Sequence, residues 1–281
     1  MNPLLRLAAF IAGILPQPIK QWLYRIQPLA QWLRGSLNQA APQGLTEIKV
    51  ASGEMAGMKL MLNLQTEKDY WLGTYEPSLQ NAAQRFVKPG MVIYDVGANI
   101  GYISLMLARL GGESAKVFSF EALPTNVQRL QKNIALNQME PTIRVIPKAV
   151  IDSSHPVIFL AHSSPSMGKA RGSAGREELY DHEIKVAGLA LDDFVFTDGN
   201  PAPNLIKMDI EGGEILAMQG MQRLLKEKHP MMLIELHGEK AAAVIWQTLS
   251  QAGYEILKME KGYARVQSLD QLGWKAYILA K

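Results

Sequence analysis

The chain has 281 residues, which is enough for one large domain and an additional N-terminal segment. Its 29 basic and 26 acidic side chains nearly balance, which argues against a dedicated nucleic-acid binder, since such proteins concentrate basic charge on one surface. It contains no cysteine, and this excludes disulfides, thiolate metal sites and cysteine nucleophiles.

The N-terminal segment differs from the rest of the chain. Residues 4–15 are mostly apolar, but Arg6 interrupts them and Pro16 ends them, so the run is too short to span a bilayer. A thin basic region and the lack of a small-residue cleavage site argue against a secretory signal. Residues 19–37 follow with an amphipathic helical pattern that is broken at Pro28.

Two interpretations of this segment stay open. It is either an interfacial membrane helix or a helical arm that packs on the domain or on a second subunit. We predict residues 1–44 to be a helical, amphipathic arm that offers peripheral membrane contact or dimerisation through residues 1–40. The protein is expected to be cytoplasmic, and membrane-associated under the first interpretation.

Residues 45–281 predict a single α/β domain. It opens with a β-hairpin (47–51 and 58–62) and a helix from Ser78 to about Val87. Strands and helices then alternate: strands at 91–96, 116–121, 143–147, 204–209 and 231–236, and helices at 100–110, 125–137, 214–225 and 239–252. Residues 254–259 and 274–280 finish the sheet as an antiparallel pair. The expected fold is α/β, a doubly wound, mostly parallel seven-stranded Rossmann-like sheet with an antiparallel last strand.

An insertion at about 151–190 breaks the alternation. It holds a predicted hairpin of residues 157–160 and 183–189 around a loop at 162–168. An insertion at the ligand-bearing edge of such a sheet commonly shapes a substrate pocket, and a surface loop is the alternative.

The most informative motif is the turn Asp95-Val96-Gly97-Ala98-Asn99-Ile100-Gly101, between a β-branched strand and a helix. Gly97 and Gly101 let the backbone approach a ligand where any Cβ would collide, and the helix offers free N–H groups. The spacing Asp-x-Gly-x-x-x-Gly differs from the Gly-x-Gly-x-x-Gly of nicotinamide enzymes. It indicates S-adenosylmethionine, a cofactor that has no pyrophosphate.

Several residues are candidates for contact with this cofactor. Asp95 is expected to meet its ammonium group, directly or through water, and Asn99 to donate or accept nearby. Glu121 lies 24 residues after Gly97, where a carboxylate accepts from both ribose hydroxyls; a solvent-exposed helix cap is the alternative. Three expectations are weaker: Ala149 contacts the adenine, Tyr75 and Glu76 close over the cofactor, and Tyr102 is either a cofactor ligand or a core residue.

The candidate catalytic residues are Lys207, Asp209, Glu211 and His237. The first three alternate along one strand end, and His237 alternates with Glu235 on the neighbouring strand, so the two sets could converge. The general base is Asp209, Glu211 or His237, while Lys207 stabilises a developing alkoxide or holds a carboxylate in place. The same oxygen-rich set could hold Mg²⁺ or Ca²⁺, but we predict no required metal.

These motifs together resemble the FkbM-type methyltransferases. The likeness rests on residues 92–105, 118–126, 205–214 and 233–238, and the Lys-x-Asp-x-Glu-Gly-x-Glu strand end of the third segment is its most specific part. The resemblance implies a class I S-adenosylmethionine-dependent enzyme that methylates a hydroxyl, often on a sugar, lipid or polyketide product. The first 45 residues lie outside it.

The sequence leaves three candidate functions for this protein. The leading one is an O-methyltransferase that acts on a hydroxyl of a small molecule, sugar or glycolipid. The alternatives are a module that binds S-adenosylmethionine without turnover and a nicotinamide-dependent oxidoreductase on a similar sheet. A nucleic-acid methyltransferase is disfavoured, because the strand end reads Asp209-Ile210-Glu211-Gly212 instead of an Asn/Asp-Pro-Pro-aromatic motif.

Overall fold

The computed structural model describes residues 3–15, 19, 35, 37, 39–161, 168–173, 180 and 182–281. The chain divides into two compact units. The first comprises Met1–Pro77 with Ala135–Asn137, and the second Ser78–Ile134 with Gln138–Lys281. The β-hairpin groups with the first unit, and the predicted division between residues 44 and 45 stays a prediction.

The first unit contains α1 (Pro3–Ile14), β1 (Leu45–Lys49), β2 (Lys59–Asn63) and α2 (Lys68–Leu72). The two strands form the predicted hairpin, with Leu45 opposite Asn63 and Lys49 opposite Lys59. Alternate side chains of β2, Leu60 and Leu62, are fully buried. The predicted helical pattern at 19–37 lies outside the described residues, apart from residues 19, 35 and 37. Among the residues that the structure describes, no helix is long and apolar enough to cross a membrane.

The second unit begins within α3 (Pro77–Phe86). Its further helices are α4 (Tyr102–Gly111), α5 (Pro124–Leu136), α6 (Glu214–Gln219), α7 (Gln222–Lys228) and α8 (Glu239–Gln251). The last two residues of α5 belong to the first unit. Its strands are β3 (Val92–Val96), β4 (Lys116–Phe120), β5 (Ile143–Ile146), β6 (Ala149–Val150), β7 (Val157–Ala161), β8 (Lys169–Ala170), β9 (His182–Val186), β10 (Gly188–Leu189), β11 (Leu205–Met208), β12 (Met231–His237), β13 (Ile256–Lys258) and β14 (Lys275–Ala280).

Seven of these strands form one sheet in the order β13-β14-β12-β11-β3-β4-β5. The strands from β12 to β5 are parallel, and β14 runs antiparallel to both of its neighbours. The predicted doubly wound sheet with an antiparallel last strand is therefore confirmed. The winding reverses between β3 and β11, so the carboxyl ends of these two strands form the crevice where such sheets bind ligands.

The strands of the insertion belong to two small sheets that are separate from the seven-stranded one. Strand β7 pairs with β9, with Val157 opposite Val186 and Leu160 opposite Glu183, which confirms the predicted hairpin as far as residue 186. Strand β8 pairs with the other edge of β7, and β6 pairs in parallel with β10. Residues 162–167 of the predicted loop lie outside the described residues.

One predicted helix is wrong in its extent. Residues 214–225 were expected to form a single helix, but α6 ends at Gln219 and α7 starts at Gln222. A Cβ on Gly220 would lie 2.1 Å from the backbone oxygen of Ile151, so the backbone of the insertion packs directly against this glycine. The break thus lies at a contact between distant residues, which local helical periodicity does not contain.

Candidate active site

A glycine turn joins β3 to α4 at the carboxyl edge of the sheet. Gly97 has φ of 80°, and a Cβ there would lie 1.9 Å from the backbone oxygen of Asp209. Gly101 has φ of 88°, and its Cβ would meet Leu130 Cδ1 at 2.3 Å. Only glycine fits both positions without displacing these protein neighbours, and the predicted close approach of the backbone to a ligand stays a prediction. The turn is therefore held tightly against the end of β11.

Asp95 lies completely buried beneath this turn. Its Oδ1 is 3.1 Å from the Lys207 Nζ, and its Oδ2 accepts a hydrogen bond of 2.6 Å from the Ser104 hydroxyl. The Lys207 ammonium also donates to the Gly97 carbonyl at 2.8 Å. Lys207 thus links the Asp95 carboxylate to the backbone of the turn, while its two predicted roles in catalysis stay predictions.

Buried hydroxyls extend this network beyond the sequence prediction. The Ser119 hydroxyl of β4 donates to Ser104 at 2.8 Å, and Ser104 donates onward to Asp95. Asp95 has no exposed surface, and its Oδ1 lies near the Lys207 ammonium but has no hydrogen-bond partner among the residues that the structure describes. Its predicted contact with the cofactor ammonium stays a prediction. No sequence motif distinguished these two serines from ordinary core residues.

Glu121 follows β4 and faces the same turn. Its Oε2 accepts the Asn99 backbone N–H and its Oε1 accepts the Leu123 N–H, each at 2.8 Å. Burial raises the pKa of the Glu121 carboxyl, although these two N–H groups and the Asn126 side chain act in the opposite direction. The carboxylate is held by the protein rather than by solvent, so it is not the exposed helix cap of the alternative interpretation.

The remaining cofactor candidates have different surroundings. Asn99 adopts φ of 50°, and its buried Oδ1 has no hydrogen-bond partner among the residues that the structure describes. Tyr102 is buried in the first turn of α4, and Ala149 packs in an apolar cluster with Ile151. Tyr75 and Glu76 belong to the first unit. The predicted contacts of these residues with the cofactor stay predictions.

A charged cluster, consisting of Asp209, Glu211, Glu214, Glu235 and His237, occupies the neighbouring strand ends. His237 lies at its centre. The His237 Nδ1 is 2.9 Å from Glu214 Oε1, and Nε2 is 3.3 Å from Glu235 Oε1. Nε2 also faces Asp209 Oδ1 at 3.8 Å and Glu211 Oε2 at 3.7 Å. The predicted convergence of the two strands is observed for these side chains, while Lys207 pairs with Asp95.

The acids around His237 make it a cation at neutral pH. Burial alone would lower the pKa of the imidazole, but the hydrogen bonds to Glu214 and Glu235 and the charges of Glu214 and Asp209 raise it to about 10. Burial likewise would raise the pKa of Glu235, but the hydrogen bonds from His237 and Lys275 lower it to about 2. An imidazole that already carries both protons has no lone pair with which to accept another.

Exposure separates the members of the charged cluster. The side chains of Glu214, His237 and Glu235 are 0, 2 and 4% exposed, whereas those of Asp209 and Glu211 are 18 and 24% exposed. Only the last two therefore offer carboxylate oxygens to a molecule outside the protein. Glu211 has φ of 52°, a backbone conformation that non-glycine residues adopt mainly where surrounding structure enforces it.

Asp209, Glu211 and His237 also form a group in which one ligand atom from each lies within 4.8 Å of the others. Such a set can hold a hard divalent cation only if the imidazole is neutral. The surrounding carboxylates favour the protonated ring instead. The expectation that no metal is required stays a prediction.

Comparison with known proteins identifies the family. The profile of the Methyltransferase FkbM domain matches residues 95–256, which include the glycine turn and the whole charged cluster. The chain belongs to the FkbM methyltransferase domain family. The resemblance that the motifs predicted is therefore confirmed.

The individual proteins that match this chain are only distantly similar to it in sequence. The chain is 26% identical over 172 residues to the hexuronic acid methyltransferase AglP of Haloferax volcanii, a match that covers 60% of this chain and 66% of that protein. It is 35% identical over 65 residues to the ribosomal protein L11 methyltransferase of Carboxydothermus hydrogenoformans, covering 23% of this chain and 21% of the relative. The solved structure of an FkbM methyltransferase from Methylobacillus flagellatus KT has a TM-score of 0.47 at 18% identity, covering 92% of this chain and 61% of the other.

Proposed function

We propose that this chain is an S-adenosylmethionine-dependent O-methyltransferase that acts on a hydroxyl of a small molecule, sugar or glycolipid. One observation carries the proposal. The missing Cβ of Gly97 allows the glycine turn to pack directly on the backbone of Asp209, so the donor-binding turn adjoins the charged cluster. A methyl donor in the turn and a hydroxyl beside the cluster would be neighbours, and proximity is the main requirement of methyl transfer.

The residues at the turn fit the donor. The Glu121 carboxylate accepts two backbone N–H groups and the Asn126 side chain, which leaves an acceptor site for a ribose hydroxyl. The buried Asn99 Oδ1 offers a further acceptor next to the turn. The Asp95–Lys207 pair fixes the backbone that would lie beneath the donor. When bound, S-adenosylmethionine supplies an electrophilic methyl group on a sulfonium.

Asp209 or Glu211 would accept the proton of the acceptor hydroxyl. Both are acidic and partly exposed, and the backbone of Asp209 adjoins the turn. His237, held as a cation by Glu214 and Glu235, would orient the two carboxylates instead of acting as the base. Of the three general bases predicted from the sequence, Asp209 and Glu211 therefore remain as candidates.

The similarity to a hexuronic acid methyltransferase supports a sugar as the first acceptor to test. The experiment follows methyl transfer from radiolabelled S-adenosylmethionine to a panel of hexuronic acids, neutral sugars and glycolipids. Methyl transfer to a hydroxyl supports the proposal. If the protein binds the donor but methylates no acceptor of the panel, the binding-module alternative gains support, and tight binding of NADH in place of the donor would favour the oxidoreductase.

The active panel member then separates the two candidate bases. Of the two variants Asp209→Asn and Glu211→Gln, the one that replaces the residue that takes the proton should lower kcat about 100-fold or more. Its affinity for the donor should stay nearly unchanged. Glu113→Gln, at an exposed position outside the charged cluster, is the matched control and should retain wild-type kcat. If neither cluster variant lowers kcat by more than a few fold, proton removal by these carboxylates is refuted.

A further inference from the structure

Helix α1 of the first unit presents an apolar surface. Leu7, Phe10, Ile11 and Ile14 are 54, 66, 45 and 63% exposed. Their spacing of three and four residues places them on one face of the helix, in a stripe about 100° wide. Leu5, which is 1% exposed, lies on the opposite face. We call the four exposed residues the α1 stripe; large apolar side chains grouped in this way indicate an interaction surface.

The charge of the surrounding sequence indicates what covers the stripe. The first 46 residues contain four basic side chains, Arg6, Lys20, Arg25 and Arg34, and no acidic one. A positive segment is attracted to an anionic surface and repels a second copy of itself. Charge therefore favours an anionic lipid surface over self-association through the same face.

The length of α1 limits how it can meet a membrane. Twelve residues make a helix of about 18 Å, which is shorter than the hydrocarbon core of a bilayer at about 30 Å. A short helix with one apolar face binds instead in the plane of the interface, with that face among the upper acyl chains.

We propose that the α1 stripe docks this protein on an anionic lipid surface. Leu7, Phe10, Ile11 and Ile14 enter the boundary of the acyl chains, and the basic side chains of the segment attract the headgroups. The proposal concerns the first unit alone and stands or falls independently of methyl transfer.

Vesicle sedimentation of the full chain tests this directly. The wild type should bind vesicles of mixed phosphatidylcholine and phosphatidylglycerol at low salt, and bind more weakly to phosphatidylcholine alone or at high salt. The triple variant Leu7→Ser, Phe10→Ser, Ile14→Ser should lose about tenfold or more of this binding. Its melting temperature should stay near that of the wild type, because the three side chains are already exposed.

The double variant Leu269→Ser, Trp274→Ser is the matched control. These two side chains are 39 and 44% exposed but lie elsewhere in the chain, so vesicle binding should persist. Equal binding by the triple variant and the wild type, or no binding by either, would overturn the proposal. A dimer of the wild type in light scattering that the triple variant abolishes, without vesicle binding, would show that a second copy covers the stripe instead.

Discussion

The glycine turn and the charged cluster adjoin each other at one sheet edge but are built in opposite ways. Beneath the turn, Asp95 is fully buried, with Oδ2 hydrogen-bonded to Ser104 and Oδ1 3.1 Å from the Lys207 ammonium. In the charged cluster, one imidazolium faces four carboxylates, and two of these carboxylates are partly exposed. The first arrangement fixes a backbone shape, whereas the second keeps acidic oxygens available to a ligand.

Similar residue pairs therefore have different roles in the two regions. The Lys207–Asp95 pair and the Lys275–Glu235 pair are both lysine–carboxylate contacts, but the first lysine is 3% exposed and the second 44%. Buried pairs are costly to break, because the remaining charge has no solvent to stabilise it. We therefore expect substitutions under the turn to affect folding and donor binding, and substitutions in the cluster to affect turnover.

The largest effect on donor binding is expected for Gly97→Ala. The new methyl group would meet the Asp209 oxygen, and φ of 80° is strained for alanine. Affinity for S-adenosylhomocysteine, measured by titration calorimetry, should fall about 100-fold or more. Gly112→Ala is the control, because Gly112 has φ of 70° but open space around its Cβ position. A comparable loss of affinity in both variants would show that backbone strain, and not the contact with Asp209, limits binding, whereas wild-type affinity in Gly97→Ala would contradict the account.

The next largest effect is expected from breaking the buried Lys207–Asp95 pair. Lys207→Met leaves the Asp95 carboxylate without its cation, so the free energy of unfolding should fall by about 3–5 kcal/mol. Urea denaturation at neutral pH measures this loss. The double variant Lys207→Met, Asp95→Asn should recover part of it, because no buried charge remains. A loss below about 1 kcal/mol in the single variant would contradict the assigned role of this pair.

Protonated His237 in the charged cluster makes the free energy of unfolding depend on pH. Because the folded pKa of His237 is raised from 6.5 to about 10, its contribution is fully present below pH 6.5 and is lost as pH rises through about 10. The stability difference between wild type and His237→Gln should shrink across this window by up to about 1.4 kcal/mol per pH unit. Urea denaturation at several pH values measures it, and parallel profiles for the two proteins would show that the imidazole is neutral.

The smallest effect is expected for Lys275→Met. This lysine pairs with Glu235 from a partly exposed position, and His237 still donates to the same carboxylate. The free energy of unfolding should fall by about 1 kcal/mol or less. The same denaturation assay compares it with Lys207→Met, and a loss as large as that of the buried lysine would remove the distinction between the two regions.

The sequence predicted the sheet and the turn because their signals are local. β-branched runs, a Gly-x-x-x-Gly spacing and an acid at a strand end all lie within a few residues of one another. It also predicted that Asp209, Glu211 and His237 would meet, since adjacent parallel strands end at the same edge.

The missed features depend on contacts between distant residues. Nothing in the sequence indicated that Glu214 would lie at His237, 23 residues away, but its Oε1 contacts the Nδ1 side of the ring. Lys275 reaches the cluster because β14 runs antiparallel to β12 with Lys275 opposite His237. The protonation of His237 follows only when acids from three elements are placed around it, and no single stretch of sequence contains that arrangement.

The central claim is that the glycine turn binds a methyl donor, and calorimetric titration of the folded wild type with S-adenosylhomocysteine tests it most directly. We predict saturable binding of one molecule per chain that Gly112→Ala retains and Gly97→Ala loses. No measurable binding by a wild type that unfolds cooperatively, or equal binding by the wild type and Gly97→Ala, would contradict the account.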